Sequence, residues 1–251
     1  MKFWAFADLH LSLGVPEKSM EVFGWEGYIQ KMAESWDHMV GEKDVVLLAG
    51  DHSWASDEEE ARKDLSWIEE RPGRKVLIKG NHDRWWSSRA KVEKILPPSL
   101  QVIQNDAVLI EGVAIGGARL WDSWEYSYEE RIVFEKNEYA KEKIRDPAQD
   151  RRLFTRELGR LERSLLNLPQ DADTKIAMTH YPPIGPDLAP SLVSNILEKY
   201  AVDICVFGHL HNVPPGSLPL GQARGVVYHL VAADYRAFSP LLVWDTCGEN
   251  V

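Results

Sequence analysis

Short apolar runs that stop abruptly at polar residues recur along the chain. Phe3-Trp4-Ala5-Phe6-Ala7 meets Asp8 and His10, and Val45 to Ala49 meets Gly50-Asp51. Val76-Leu77-Ile78 leads through Lys79-Gly80 into Asn81-His82-Asp83. Further on, Ile176-Ala177-Met178 leads through Thr179 to His180, and Ile204 to Phe207 gives way to Gly208-His209-Leu210-His211. Runs of this length, rich in β-branched and aromatic residues and closed by turn formers, predict buried strands. Between the first three lie helical patterns. Ile29, Met32, Trp36, Met39 and Val40 recur at helical spacing, and Leu65, Trp67 and Ile68 follow the capping signature Ser56-Asp57 with Glu59 and Glu60. The order β-α-β-α-β predicts a parallel sheet with crossover helices.

The middle of the chain is less regular. A helix is expected over 87–95, ending before Pro97-Pro98. Short strands near 101–104, 107–110 and 113–115 read as antiparallel additions. Residues 118–150 mix charge with aromatics and read as a helical, aromatic insertion in a single domain spanning 1–251, placed where it can cap a site. Phe154, Leu158, Leu161, Leu165 and Leu168 mark an amphipathic helix, and a further helix is expected over 191–200. Strands near 226–232 and 241–244 complete a second sheet.

Composition narrows the classes. A chain of 251 residues can form one large domain. Its formal charge of −10 opposes binding to long nucleic acid or anionic membranes, since no basic stripe replaces counterions. The two cysteines, Cys205 in an apolar run and Cys247, give no disulfide framework. No leader pattern and no apolar run of about 20 residues is seen, so a cytoplasmic protein acting on a small molecule is expected.

The five strand ends would deliver Asp8, His10, Asp51, Asn81, His180, His209 and His211 to one edge. These are oxygen and imidazole donors with no thiolate, which suits Mn²⁺, Fe, Zn²⁺ or Co²⁺ better than Ca²⁺. Seven donors exceed what one ion needs, so two divalent ions sharing Asp51 are expected, with Mn²⁺ the first candidate. Two ions less the charges of Asp8 and Asp51 leave a site that attracts a hydroxide and an anionic ester, the arrangement of two-metal phosphoryl chemistry. His82, beside Asn81, is placed to protonate a leaving alcohol, with Asp83 orienting its ring and keeping it cationic. Arg84 and Trp85, Tyr181 and Arg119 are candidate substrate contacts, and His52 is either an added contact or a structural histidine.

The blocks Asp8-Leu9-His10, Gly50-Asp51, Gly80-Asn81-His82-Asp83, His180 and Gly208-His209-Leu210-His211 together resemble the calcineurin-like metallophosphoesterases, in particular the small bacterial predicted phosphohydrolases. The resemblance implies a four-layer αββα sandwich around two mixed sheets. One metal would take Asp8, His10, Asp51 and His211, the other Asp51, Asn81, His180 and His209. The expected activity is a metal-dependent phosphoric ester hydrolase, with phosphodiesters preferred over phosphomonoesters because His82 can assist a poor leaving group. Its nucleophile would be a hydroxide bridging the metals. Alternatives are a nuclease on short oligonucleotides and a non-catalytic scaffold of the same fold.

Overall fold

A computed structural model describes residues 1–133 and 146–247. In chain order the elements are β1 (Lys2–Phe6), α1 (Tyr28–Met39), β2 (Val45–Leu48), α2 (Glu58–Glu69), β3 (Arg74–Leu77), α3 (Arg89–Val92), β4 (Leu100–Val102), β5 (Ala107–Ile110) and β6 (Val113–Ala118). They continue with α4 (Pro147–Leu166), β7 (Thr174–Thr179), α5 (Leu192–Lys199), β8 (Ile204–Phe207), β9 (Gln222–Ala223), β10 (Val226–Leu230) and β11 (Leu241–Asp245). The first sheet has the order β11-β1-β2-β3-β4 and the second β5-β6-β7-β8-β10-β9. β11 and β5 and β9 pair antiparallel with their neighbours, and the remaining pairs are parallel, so both sheets are mixed.

Alternation along each strand produces three apolar layers. In β1, Trp4 and Phe6 face α1 and α2 while Phe3 and Ala5 face the other sheet. β2 divides likewise: Val46 and Leu48 join the helical side, Val45 and Leu47 the middle. In the second sheet Ile176, Met178 and Val206 meet that middle layer, while Ala177, Cys205 and Phe207 pack against Phe154, Leu161 and Leu165 of α4 and Val193 and Leu197 of α5. Helices, sheet, sheet and helices therefore stack as an αββα sandwich. Each fully buried side chain such as Phe6 or Leu48 contributes roughly 1.5–3 kcal/mol to holding the layers together.

The helices form where the sequence signals them. Tyr28, Met32 and Trp36 are the buried stripe of α1, and the Trp36 indole donates to the Pro72 carbonyl at 3.0 Å. Asp57 caps α2 by accepting from the backbone N–H groups of Glu59 and Glu60. Two local expectations are corrected. α3 is a single turn instead of a helix over 87–95, and β4 lies parallel to β3 at the sheet edge instead of joining as an antiparallel addition. Residues 78–99 give enough chain for a crossover, and Lys75 donates to Ser99, which draws β4 back in the parallel sense.

The segment expected as an insertion over 118–150 overlaps the first turn of α4, which starts at Pro147 behind the cap Asp146. Residues 134–145 of it lie outside those described. Its first part is tied to the loop after β7: the Tyr126 hydroxyl donates to the Pro182 carbonyl at 2.7 Å and that of Tyr128 to Ile184 at 2.8 Å. Among the described residues, no helix is long and apolar enough to cross a membrane.

Candidate metal centre

The C-terminal ends of β1, β2 and β3 in one sheet and of β7 and β8 in the other meet at one edge. The sheets are stitched together there: Ala7 donates to Val231 at 2.9 Å and accepts from Ala233 at 3.0 Å. Asp8 and His10 were expected to share a side because extended backbone alternates. They do converge, but not by extension: Asp8, His10, Asp51 and His209 all have left-handed backbone, with φ of 58°, 45°, 54° and 71°. Such conformations cost on the order of 1–3 kcal/mol each and persist only where surroundings impose them. Here Asp8 donates to Gly50, His10 donates to Asp51, and His209 donates its N–H to the Asp8 carboxylate. The glycines before the polar groups are required by crowding. A side chain at Gly80 would strike Asp51, and one at Gly208 would strike the Asp8 carboxylate.

The seven candidate donors come together in two groups. On one side the His10 and His211 Nε2 atoms are 3.2 Å apart and lie 3.9 and 3.7 Å from Asp8 Oδ1. On the other, Asn81 Oδ1 is 2.7 Å from His180 Nε2 and 2.9 Å from His209 Nδ1. Asp51 Oδ2 stands between them, 3.8 Å from His10 and 3.3 Å from His180. Asp8 is close to both groups, since Asp8, Asp51 and His180 also converge. Asp8 Oδ1 and His10 Nδ1 are buried without a hydrogen-bond partner among the described residues. Burial lifts the Asp8 carboxyl to about 7, against the pull of His211 and His180. Burial would lower His180, but the Asp51 carboxylate overrides it and raises the imidazole to about 9. A buried carboxylate oxygen with no hydrogen bond is one that a coordinated metal ion would satisfy. The donor set therefore fits divalent ions.

Other candidates are placed differently. Asp83 is a correction. Its buried carboxylate does not serve His82: Oδ1 accepts from the N–H groups of His52 (2.9 Å) and Ser53 (3.2 Å) and the Trp85 indole (3.1 Å), and Oδ2 from Asp51 (3.0 Å) and Gly80 (2.8 Å). Burial lowers the His82 imidazole, the neighbouring carboxylates notwithstanding, so the expectation of a ring kept cationic is also corrected. The His82 ring lies 4.3 Å from Trp54 and 5.5 Å from His10, centroid to centroid, while its backbone N–H donates to Asp51. Trp85 is buried, held by Asp83, and presents no face to a substrate. His52 is fully buried and bonded to the Ile78 carbonyl at 2.9 Å, the structural of its two readings. Arg84, Arg119 and Tyr181 do border the site, in a hollow of about 770 Å³ that also exposes Asn81, His82, Trp121 and His209.

Two participants escaped the sequence reading. Asp234, just beyond β10, lies 3.1 Å from His211 Nδ1 and accepts from the Asn212 N–H, which fixes the ring whose Nε2 faces Asp8. Trp54 stacks on His10 at 4.8 Å. The only signal for either was position, an aspartate closing the apolar run Val231-Ala232-Ala233 and a tryptophan just after Asp51.

An αββα sandwich with imidazole and carboxylate donors gathered where its two sheets meet is suited to holding metal ions. The chain belongs to the calcineurin-like phosphoesterase family, whose model matches residues 1–213. Membership implies divalent metal ions. Gene 66 protein of Mycobacterium phage D29 is 44% identical over 84 residues, covering 32% of this chain and 40% of that protein. The corresponding figures for Gene 66 protein of Mycobacterium phage L5 are 37% over 84 residues, 32% and 39%. The chain thus spans about two fifths of the length of these relatives. Phosphopantetheinyl hydrolase of Mycobacterium tuberculosis has the same fold, with a TM-score of 0.53 and 16% identity over 94% of this chain and 90% of that one.

Proposed function

We propose that the protein is a dinuclear-metal-dependent phosphoric ester hydrolase acting on small phosphate esters, with phosphodiesters preferred over phosphomonoesters. The observation that carries the reading is Asp51, whose carboxylate lies between the Asp8, His10 and His211 group and the Asn81, His180 and His209 group. Two divalent ions held by these seven residues, Mn²⁺ foremost, would supply a hydroxide nucleophile and neutralise phosphoryl charge. The chain's own groups do the rest. Arg84 and Arg119 line the hollow and attract the anionic ester. His82, lowered by burial and so neutral, offers a ring N–H to the leaving oxygen, which stabilises the developing alkoxide without needing a cationic ring. Tyr181, whose ring lies 3.9 Å from that of His209, walls one side. The segment from Ala118, bordering the same hollow through Arg119 and Trp121, acts as a cap.

The test is hydrolysis of p-nitrophenyl phosphate, bis-p-nitrophenyl phosphate and an alkyl phosphodiester by metal-stripped protein before and after adding Mn²⁺. Restored turnover, faster on diesters, is expected. His82→Ala should lower alkyl diester turnover about 10²- to 10⁴-fold, and nitrophenyl esters less, while metal content stays near two per chain. Silence on all three esters with two metals bound would overturn the enzymatic reading in favour of a binding scaffold, and loss of metal from His82→Ala would make His82 a ligand.

A further inference from the structure

A second cavity of about 250 Å³ lies beside the first, and its walls are of a different kind. Its floor is apolar, built from buried Ile78, Trp86 and Ile103. Four cations surround it: Lys79 from the loop after β3, Arg119 from the end of β6, and Arg156 and Arg160 from α4. The three arginines share one buried carboxylate. A single oxygen of Glu157 receives Arg119 at 3.3 Å, Arg156 at 3.1 Å and Arg160 at 2.7 Å. Lys79 donates to the Trp86 carbonyl.

Arg156 and Arg160 reach solvent, their side chains 50% and 37% exposed, but Arg119 is largely buried at 16%, where like charges held together are costly unless answered. This cavity carries four positive charges against one negative, in a chain whose formal charge is −10. It also contains an unanswered donor, since Arg119 Nε is buried with no hydrogen-bond partner among the described residues. Arg119, Arg156 and Arg160 converge on that one Glu157 oxygen, so their like charges are held close together and repel one another. A bound anion would relieve that repulsion and satisfy the orphan N–H.

Position says what the anion belongs to. Arg119 lines both this cavity and the hollow that exposes Asn81, His82 and His209, and its guanidinium lies 5.0 Å from the Trp121 ring in that hollow. We propose that the cavity holds a second phosphate group of the substrate, so that the ester cleaved at the metal centre carries another phosphate some distance along the same molecule. This rests on the phosphoesterase reading of the first hollow, whereas anion binding itself does not require catalysis.

The experiment has two arms, one free of turnover. Metal-stripped full chain is titrated calorimetrically with tripolyphosphate and, separately, with inorganic phosphate. Tripolyphosphate should bind, and Arg160→Gln should weaken it at least tenfold, with Arg156→Gln as a second variant. Exposed Arg163→Gln, on α4 but not lining the cavity, should leave it unchanged. In the Mn²⁺-loaded enzyme, Arg160→Gln should raise KM for adenosine 3′,5′-bisphosphate about tenfold while leaving kcat/KM for p-nitrophenyl phosphate as it was. Tripolyphosphate binding that ignores both cavity variants overturns the site. Binding that falls in the variants with KM unmoved shows free phosphate as the occupant and overturns the assignment to substrate. If no ester is turned over yet the cavity variants lose tripolyphosphate, the phosphoesterase reading fails and the anion site stands.

Discussion

Replacing Asp83 by Asn separates a structural role from a catalytic one. The carboxylate collects five N–H donors, three on Oδ1 and two on Oδ2. An amide has one acceptor oxygen and one donor nitrogen. Its less damaging orientation puts NH₂ at the Oδ2 position, leaving the Asp51 and Gly80 N–H groups facing another donor. A buried donor deprived of its acceptor costs about 1–3 kcal/mol, so two cost about 2–6 kcal/mol. For a chain of this size each 1 kcal/mol moves the melting midpoint by roughly 2–4 °C. The variant should therefore melt about 4–24 °C below the parent, a difference that differential scanning calorimetry resolves easily. Metal content and activity of the fraction that stays folded should fall together, because the lost donors position Asp51 and, through Gly80, Asn81. A midpoint within about 1 °C of the parent, combined with a large loss of turnover and full metal content, would refute this reasoning and restore Asp83 as the partner of His82.

Two further outcomes follow from the geometry. Asp234→Asn keeps a hydrogen-bonding side chain beside His211 but removes the charge that holds the ring. Metal affinity read by competition with a chelator should drop about 10- to 100-fold with little change in melting. Asp64 gives a pH signature away from the metal centre. Burial pushes its carboxyl up to about 6 despite hydrogen bonds from Ser53 and Leu13. The folded chain then holds a proton that the unfolded chain releases near pH 4, so this group's contribution is full below about pH 4 and is lost as pH rises through 6. The difference amounts to about 3 kcal/mol. Urea denaturation in chelator should show stability falling across that window in the parent and a flatter profile in Asp64→Asn; equal slopes would count against the shift.

Much of the architecture could be read from the chain because strand burial and strand termination write themselves locally. The run from Phe3 to Ala7 is apolar on both faces since both are covered, and its end at Asp8 marks the sheet edge. The sense in which β4 joins the sheet was not legible, because short amphipathic strands carry no mark of direction. The candidate donors were legible as residue types at strand ends, while their convergence depends on left-handed backbone, which Asp and His tolerate better than most residues without announcing it. Asp83 misled for a simple reason: adjacency to His82 suggested contact, yet its carboxylate turns back to the loop after β2. Trp85 misled likewise, since a ring beside a site in sequence can point into the core. Asp234 was invisible because it acts through His211, and a lone aspartate after a strand is ordinary turn chemistry.

The two sheets contribute unequally in time as well as in space. Asp8, His10, Asp51 and Asn81 come from the first sheet, whereas His180, His209 and His211 come from strands of the second. During synthesis the early portion emerges carrying Asp8, His10, Asp51 and Asn81, mostly oxygen donors and one imidazole. Three of the four imidazoles arrive only from residue 180 onward, when the second sheet can close over the first. An ion held by both sets would be captured only once the halves have docked, and would then add its binding free energy to the assembled sandwich alone.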